Sequence, residues 1–151
     1  MNDSSLELDD TTHAAITRHC AAGDKLAEAQ RWKVALLEYA KAWQLIPEPK
    51  NAWEAATWVL AAIADSCFFL GDFVEARKAL EYAMVSPGGL GNPFLHLRLG
   101  QCQLELGMED RAADELTRAY MGAGKDIFAV EDPKYFEFLE TKILPPVTGE
   151  W

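Results

Sequence analysis

Few side chains in this 151-residue sequence are of a type that makes or breaks bonds, and their spacing does not assemble them. The histidines are His13, His19 and His96, and the serines are Ser4, Ser5, Ser66 and Ser86. None stands in the sharp strand-to-helix setting that exposes a nucleophilic serine beside its base. Cys20, Cys67 and Cys102 are odd in number and far apart. Each sits inside a helical apolar pattern, which predicts reduced core thiols. His19, Cys20, His96 and Cys102 lack the short ligand spacing of a zinc site, so no metal is expected. The Gly-Gly-Leu-Gly run at 88–91 has no following Lys and Ser or Thr to cradle a phosphate, and reads as a linker. Adjacent acids such as Glu109 and Asp110 suit the start of a helix. The expectation is a protein that is not an enzyme and needs no cofactor.

What remains is charge and aromatic surface. The net charge is −10, of which residues 1–15 contribute −4, residues 126–151 another −4, and the long middle only −2. Phosphate recognition needs clustered Lys and Arg, and no segment offers them, so nucleic acid is excluded as a partner. An acidic chain favours a basic protein partner. The longest apolar stretch, 52–70, is interrupted by Glu54 and Asp65 and cannot span a bilayer. The opening residues lack a basic and an apolar region, so residues 1–11 are expected to be an acidic disordered tail of a cytoplasmic protein with no membrane association.

The elements that must carry this surface are repeated. LGDFVEARKALEYA at 70–83 recurs as LGMEDRAADELTRA at 106–119, an offset of 36, and a degenerate copy, AQRWKVALLEYAKA, lies 41 residues upstream of the first. Gly71, Ala76 and Ala83 align with Gly107, Ala112 and Ala119. In the upstream copy Gln30 takes the glycine place, and Ala35 and Ala42 take the alanine places. Seven residues before each turn stand Gly23, Ala64 and Gly100; two after it stand Trp32, Phe73 and Glu109. Small residues at such places let two helices cross closely.

This framework resembles the tetratricopeptide repeat over about residues 16–125, with Gln30 and Glu109 as departures and proline closing only the first copy, at Pro47. The resemblance implies an all-α fold of three hairpins forming a short solenoid over 12–125. Expected helices are 12–29 and 32–46, then 51–70 and 73–85, then 93–106 and 109–121. Pro47 and Pro49 stop the second helix, Asp72 and Asn92 cap later ones, and Pro93 fits a first turn. Residues 126–151 form a capping helix and tail. Over 133–144, behind Asp132, Tyr135, Phe136, Phe138, Leu139 and Ile143 make an apolar face too wide for water, which would close the last hairpin. The excess length before the second hairpin predicts a helix extended by up to two turns. Trp53 then either overhangs as a contact site or packs back on Trp43 or Trp58.

In proteins of this fold the first helix of each hairpin lines a concave groove. By alignment that groove holds Asp24, Ala27 and Glu28; then Trp58, Ala61, Asp65, Phe68 and Phe69; then Phe94, Leu97, Arg98, Gln101, Leu104 and Glu105. Aromatics with acidic edges suit a partner segment bearing apolar anchors and Lys or Arg. The aromatic stripe on 53–69 can equally be core, and each acid can be a solvated face. The clamp that some family members use for acidic chaperone tails needs Lys and Asn on these faces. Asp24, Asp65 and Gln101 on one row, and Glu28, Phe69 and Glu105 on the next, exclude it.

The implied function is protein binding. An immunity protein that neutralises a basic bacterial toxin is ranked first, on the acidic ends and on an ending, EDPKYFEFLETKI then PP and GEW, that looks like short stand-alone bacterial repeat proteins. The alternatives are a secretion chaperone for an effector or translocator, or a scaffold of a larger complex. Self-association as a homodimer is a further expectation.

Overall fold

The computed structural model describes residues 8–151, and all of their regular structure is helical. The seven-residue start of the expected acidic tail lies outside the described residues. The chain divides into two compact units, one ending at Leu90 and the other beginning at Gly91.

The first unit holds two hairpins, α1 (Asp10–Glu28) with α2 (Trp32–Leu45) and α3 (Glu54–Phe69) with α4 (Phe73–Ala83). α1 starts two residues earlier than expected because Asp9 caps it, accepting from the Thr12 amide at 2.8 Å and the Thr12 hydroxyl at 3.0 Å. Those bonds hold the Asp9 carboxyl below its ordinary range. Asp72 caps α4 through the Glu75 amide, as its position before the helix implies. The α1–α2 turn places Gln30 at φ 59°, the left-handed conformation that Gly71 adopts at φ 80° in the α3–α4 turn. Close crossing follows directly: a Cβ on Gly23 would lie 2.5 Å from the ring of Tyr39.

The extra residues before α3 do not lengthen the helix, which corrects the expected extension by up to two turns. They form an ordered connection with a short 3-10 turn, Lys50–Ala52, behind a cis peptide at Glu48–Pro49. Lys50 donates to the carbonyls of Trp43 (2.8 Å) and Ile46 (2.7 Å), closing the end of α2. Trp53 donates from Nε1 to the Pro47 carbonyl at 3.0 Å and packs, with Trp43, against a core of Ile16, Ala42, Ile46, Ala55, Ala56 and Val59. An indole with its N–H satisfied and its rings on apolar carbon gains more by packing back than by overhanging.

The second unit contains α5 (Pro93–Glu105), α6 (Glu109–Ala123), a 3-10 turn (Lys125–Phe128) and α7 (Pro133–Glu140). Asn92 and Asp132 cap α5 and α7, each followed by proline. Gly107 takes the turn at φ 78°, and a Cβ on Gly100 would fall 2.7 Å from Leu116 Cγ, the same crossing as Gly23 with Tyr39. A second device repeats: Nδ1 of His19 lies 3.0 Å from Glu38, and Nδ1 of His96 lies 2.5 Å from Glu115, both nineteen residues apart. Each histidine stands eleven residues before its turn and each glutamate eight after. In the α3–α4 hairpin those places hold Leu60 and Ala79, both buried. Because His96 Nε2 accepts from the Gly91 amide at 2.9 Å, Nδ1 carries the proton that goes to Glu115.

α7 is shorter than the expected 133–144 but buries the face that called for cover. Tyr135, Phe136 and Leu139 are buried, and Phe136 is ringed by Phe128 (5.1 Å), Trp151 (5.5 Å) and Tyr120 (6.3 Å). The C-terminal Trp151 thus returns to the unit, edge-on to Tyr120 at 5.8 Å.

Candidate functional site

The expected groove residues of the first unit come from the first helices of its two hairpins, and most of them meet. Asp24, Ala27 and Glu28 of α1 and Ala61, Asp65 and Phe69 of α3 line one open cleft of about 550 Å³, with Trp32, Tyr39, Ala62 and Ser66. Helical spacing explains the set, since 61, 65 and 69 recur every four residues along one face of α3. Trp32 stacks on Phe69 with centroids 4.7 Å apart and planes 18° apart, making an aromatic wall of which Phe69 is half exposed. Tyr39 donates its hydroxyl to Asp24 at 2.6 Å. Burial first, and then the Asp24 carboxylate, push the Tyr39 phenol well above its usual range, so it stays a donor. Ser66 is wholly buried among the lining residues, and its Oγ has no hydrogen-bond partner.

Two aromatic expectations separate here. Phe68 is half-buried, edge-on to Phe69 at 5.3 Å and to Phe73 at 5.6 Å, so it braces the α3–α4 turn. Trp58 is exposed but belongs to another cleft, of about 480 Å³, lined also by Leu8, His13, Trp53, Glu54 and Pro87. His13 meets the Trp58 ring edge-on at 6.1 Å. Trp58 and Phe69 lie eleven residues apart on α3, so the two clefts mark the two ends of one face.

In the second unit the expected groove row is largely taken by the chain itself. Leu97 and Gln101 are 4% and 0% exposed, which corrects their assignment to an accessible groove. The carboxylate of Glu131 accepts from Arg98 (2.9 Å) and from Gln101 Nε2 (2.7 Å), while Arg98 also donates to Gln101 Oε1 at 2.8 Å. One turn further on, Glu105 accepts from the Tyr135 hydroxyl (2.7 Å) and pairs with Lys134 (2.8 Å). Burial pulls the Glu105 carboxyl upward, but the bonds from Lys134 and Tyr135 together outweigh it and hold the group below its ordinary range. Phe94 alone of this row stays largely exposed, at 68%.

Four contributors to the first cleft, Trp32, Tyr39, Ala62 and Ser66, lie outside the groove set expected from the sequence. Trp32 was read only as the plug after a turn, and Tyr39 had no role. The available signal was Tyr39's place opposite Gly23, where a ring fills the room the missing Cβ leaves. Burial pushes the thiols of Cys20 and Cys67 up to about 11, so both are protonated and poor nucleophiles at neutral pH. Among the described residues no three His, Cys, Asp or Glu side chains are placed to share a metal ion, and no helix is long and apolar enough to cross a membrane.

No protein-family model matches the chain, and no curated protein is similar to it in sequence. Its fold is nevertheless shared with solved structures. It is similar to PcrH from Pseudomonas aeruginosa, with a TM-score of 0.66 at 16% identity, over 93% of this chain and 98% of that one. It is also similar to the Yersinia enterocolitica type III secretion chaperone SycD, solved in complex with a peptide of the translocator YopD, with a TM-score of 0.68 at 13% identity over 88% of this chain and 95% of that one. The chain therefore has the all-helical, tetratricopeptide-like fold of these two structures.

Proposed function

We propose that the chain is a non-catalytic chaperone-type binding module that holds an extended segment of another protein on the α1–α3 face of its first unit. The observation that carries this reading is the likeness to SycD, a secretion chaperone with a translocator peptide bound, along nearly the whole of both chains. It supports the secretion-chaperone reading over the toxin-immunity reading, to which the comparisons lend nothing. The surface is suited to the task. Trp58 and Phe69 stay exposed at the two ends of the α3 face, giving two apolar landing points on a rigid helix. Eleven residues of helix span roughly 16 Å, a distance that about five residues of extended chain cover.

The test is selection of a random peptide library on the intact chain, followed by affinity measurement on the selected peptides. Peptides with two apolar anchors a few residues apart should be enriched, and Trp58→Ala or Phe69→Ala should each weaken them by about tenfold or more. Selection of nothing above background, or of peptides indifferent to both substitutions, would remove the reading.

A further inference from the structure

The cleft at the Phe69 end of the α3 face has a chemistry that the exposed aromatics alone do not require. Three carboxylates, Asp24, Glu28 and Asp65, line it together with the Trp32–Phe69 stack, and no Lys or Arg is among its lining residues. Like charges gathered around one concavity repel each other and focus a negative potential there. An independent feature lies among the same lining residues: the buried Ser66 hydroxyl, 0% exposed, whose Oγ has no hydrogen-bond partner. A buried polar atom left unpaired costs free energy, and an N–H donor entering the cleft would relieve it.

The occupant that answers all of these features is cationic, planar and rich in donors. Ammonium is a compact, strongly hydrated point charge, whereas guanidinium sheds water more readily, stacks on aromatic faces and presents several N–H groups in a fork matched to carboxylates. Tyr39 already holds Asp24 in one orientation through its 2.6 Å bond, so a carboxylate is fixed before any ligand arrives. We infer that the cleft formed by Asp24, Glu28, Asp65, Ser66, Trp32 and Phe69 is a receptor for one arginine side chain of the bound segment. The inference rests on the chaperone-type reading for its biological setting, but the cleft can be tested without any partner.

The experiment titrates the intact, isotope-labelled protein with N-acetyl-arginine amide, and in parallel with the lysine and citrulline analogues, by NMR. A ligand of this size has an expected affinity of about millimolar. Arginine amide should shift the indole resonance of Trp32 and the amides around Asp24 and Phe69. Citrulline, the neutral isostere, should leave them in place, and lysine should bind more weakly than arginine. Asp24→Asn combined with Asp65→Asn keeps the shapes and should weaken arginine by about tenfold, through the lost charge-assisted bonds. Equal shifts with citrulline, or none with arginine at concentrations well above millimolar, would overturn the inference. Peptides that bind the intact chain with no preferred arginine would likewise overturn it while leaving the chaperone reading standing. Arginine binding without any peptide binding would do the reverse.

Discussion

Gln30 occupies a place where the backbone wants glycine. Its φ of 59° matches the turns that Gly71 and Gly107 make, and an L-residue with a Cβ carries a cost of about 1 kcal/mol there. Gln30→Gly should therefore raise stability by up to about 1 kcal/mol, less the extra entropy of glycine in the unfolded chain, with the urea midpoint as readout. A lowered midpoint would mean that the Gln30 side chain contributes something the turn geometry does not. Glu105 makes a pH-dependent contribution whose sign can be worked out. Its folded-state pKa lies below the ordinary 4.5, so the ionised form is the one the fold favours. That contribution is complete above the ordinary value and fades as pH falls through the folded one. The stability gap between the wild type and Glu105→Gln should accordingly be wider near pH 7 than near pH 3, about 4 units apart. A gap that does not depend on pH would show that the Lys134 and Tyr135 contacts do not discriminate the charge state.

Helix packing is where the sequence was most legible, because small residues at a crossing are a geometric requirement. Gly23 and Gly100 face Tyr39 and Leu116 so closely that a methyl group would overlap them. Ala35, Ala42, Ala76, Ala83, Ala112 and Ala119, aligned from the repeat, are all fully buried. Gly100→Ala removes a helix-interior glycine and by propensity alone would stabilise by about 1 kcal/mol. The clash with Leu116 reverses the sign, and a net loss of about 1–2 kcal/mol is expected; Leu116→Ala is itself costly at about 2–5 kcal/mol, and the double mutant should lose less than the sum of the two. Additive losses in the double mutant would mean the two side chains do not compete for the same space. Contacts made across distant sequence were not legible. Gln101 looked like a groove residue because its partner, Glu131, is thirty positions away, and nothing in the local pattern around either residue announces the pairing. The connection before α3 was misjudged for a related reason: its excess length suits added helical turns, and only Lys50 reaching back to two carbonyls reveals a different path. Removing residues 131–151 takes away the Glu131 contacts to Arg98 and Gln101 and the cover over Tyr120 and Phe128. The truncated chain should self-associate or melt earlier, as seen by light scattering and circular dichroism. A monomer of unchanged stability would contradict the structural role given to α7.

At the scale of the molecule, the two units differ in what they leave open. In the first unit the α1–α3 face keeps clefts at both ends, while in the second the matching row on α5 is tied to Glu131, Lys134 and Tyr135 of the same chain. Three acids of the nearly neutral middle segment, Asp24, Glu28 and Asp65, gather at one cleft, whereas Glu105 and Glu131 serve internal pairs. Binding is accordingly expected on the first unit, with the second held closed by its own C-terminal residues. The most direct measurement is a backbone chemical-shift map of the intact chain with the tightest peptide from the random library. The account predicts that the largest changes fall on α1 around Asp24 and Glu28 and on α3 from Trp58 to Phe69, with α2, α4 and α7 little changed on their outer faces. Changes concentrated on α5 and α7, or on the outer faces of α2 and α4, would contradict it.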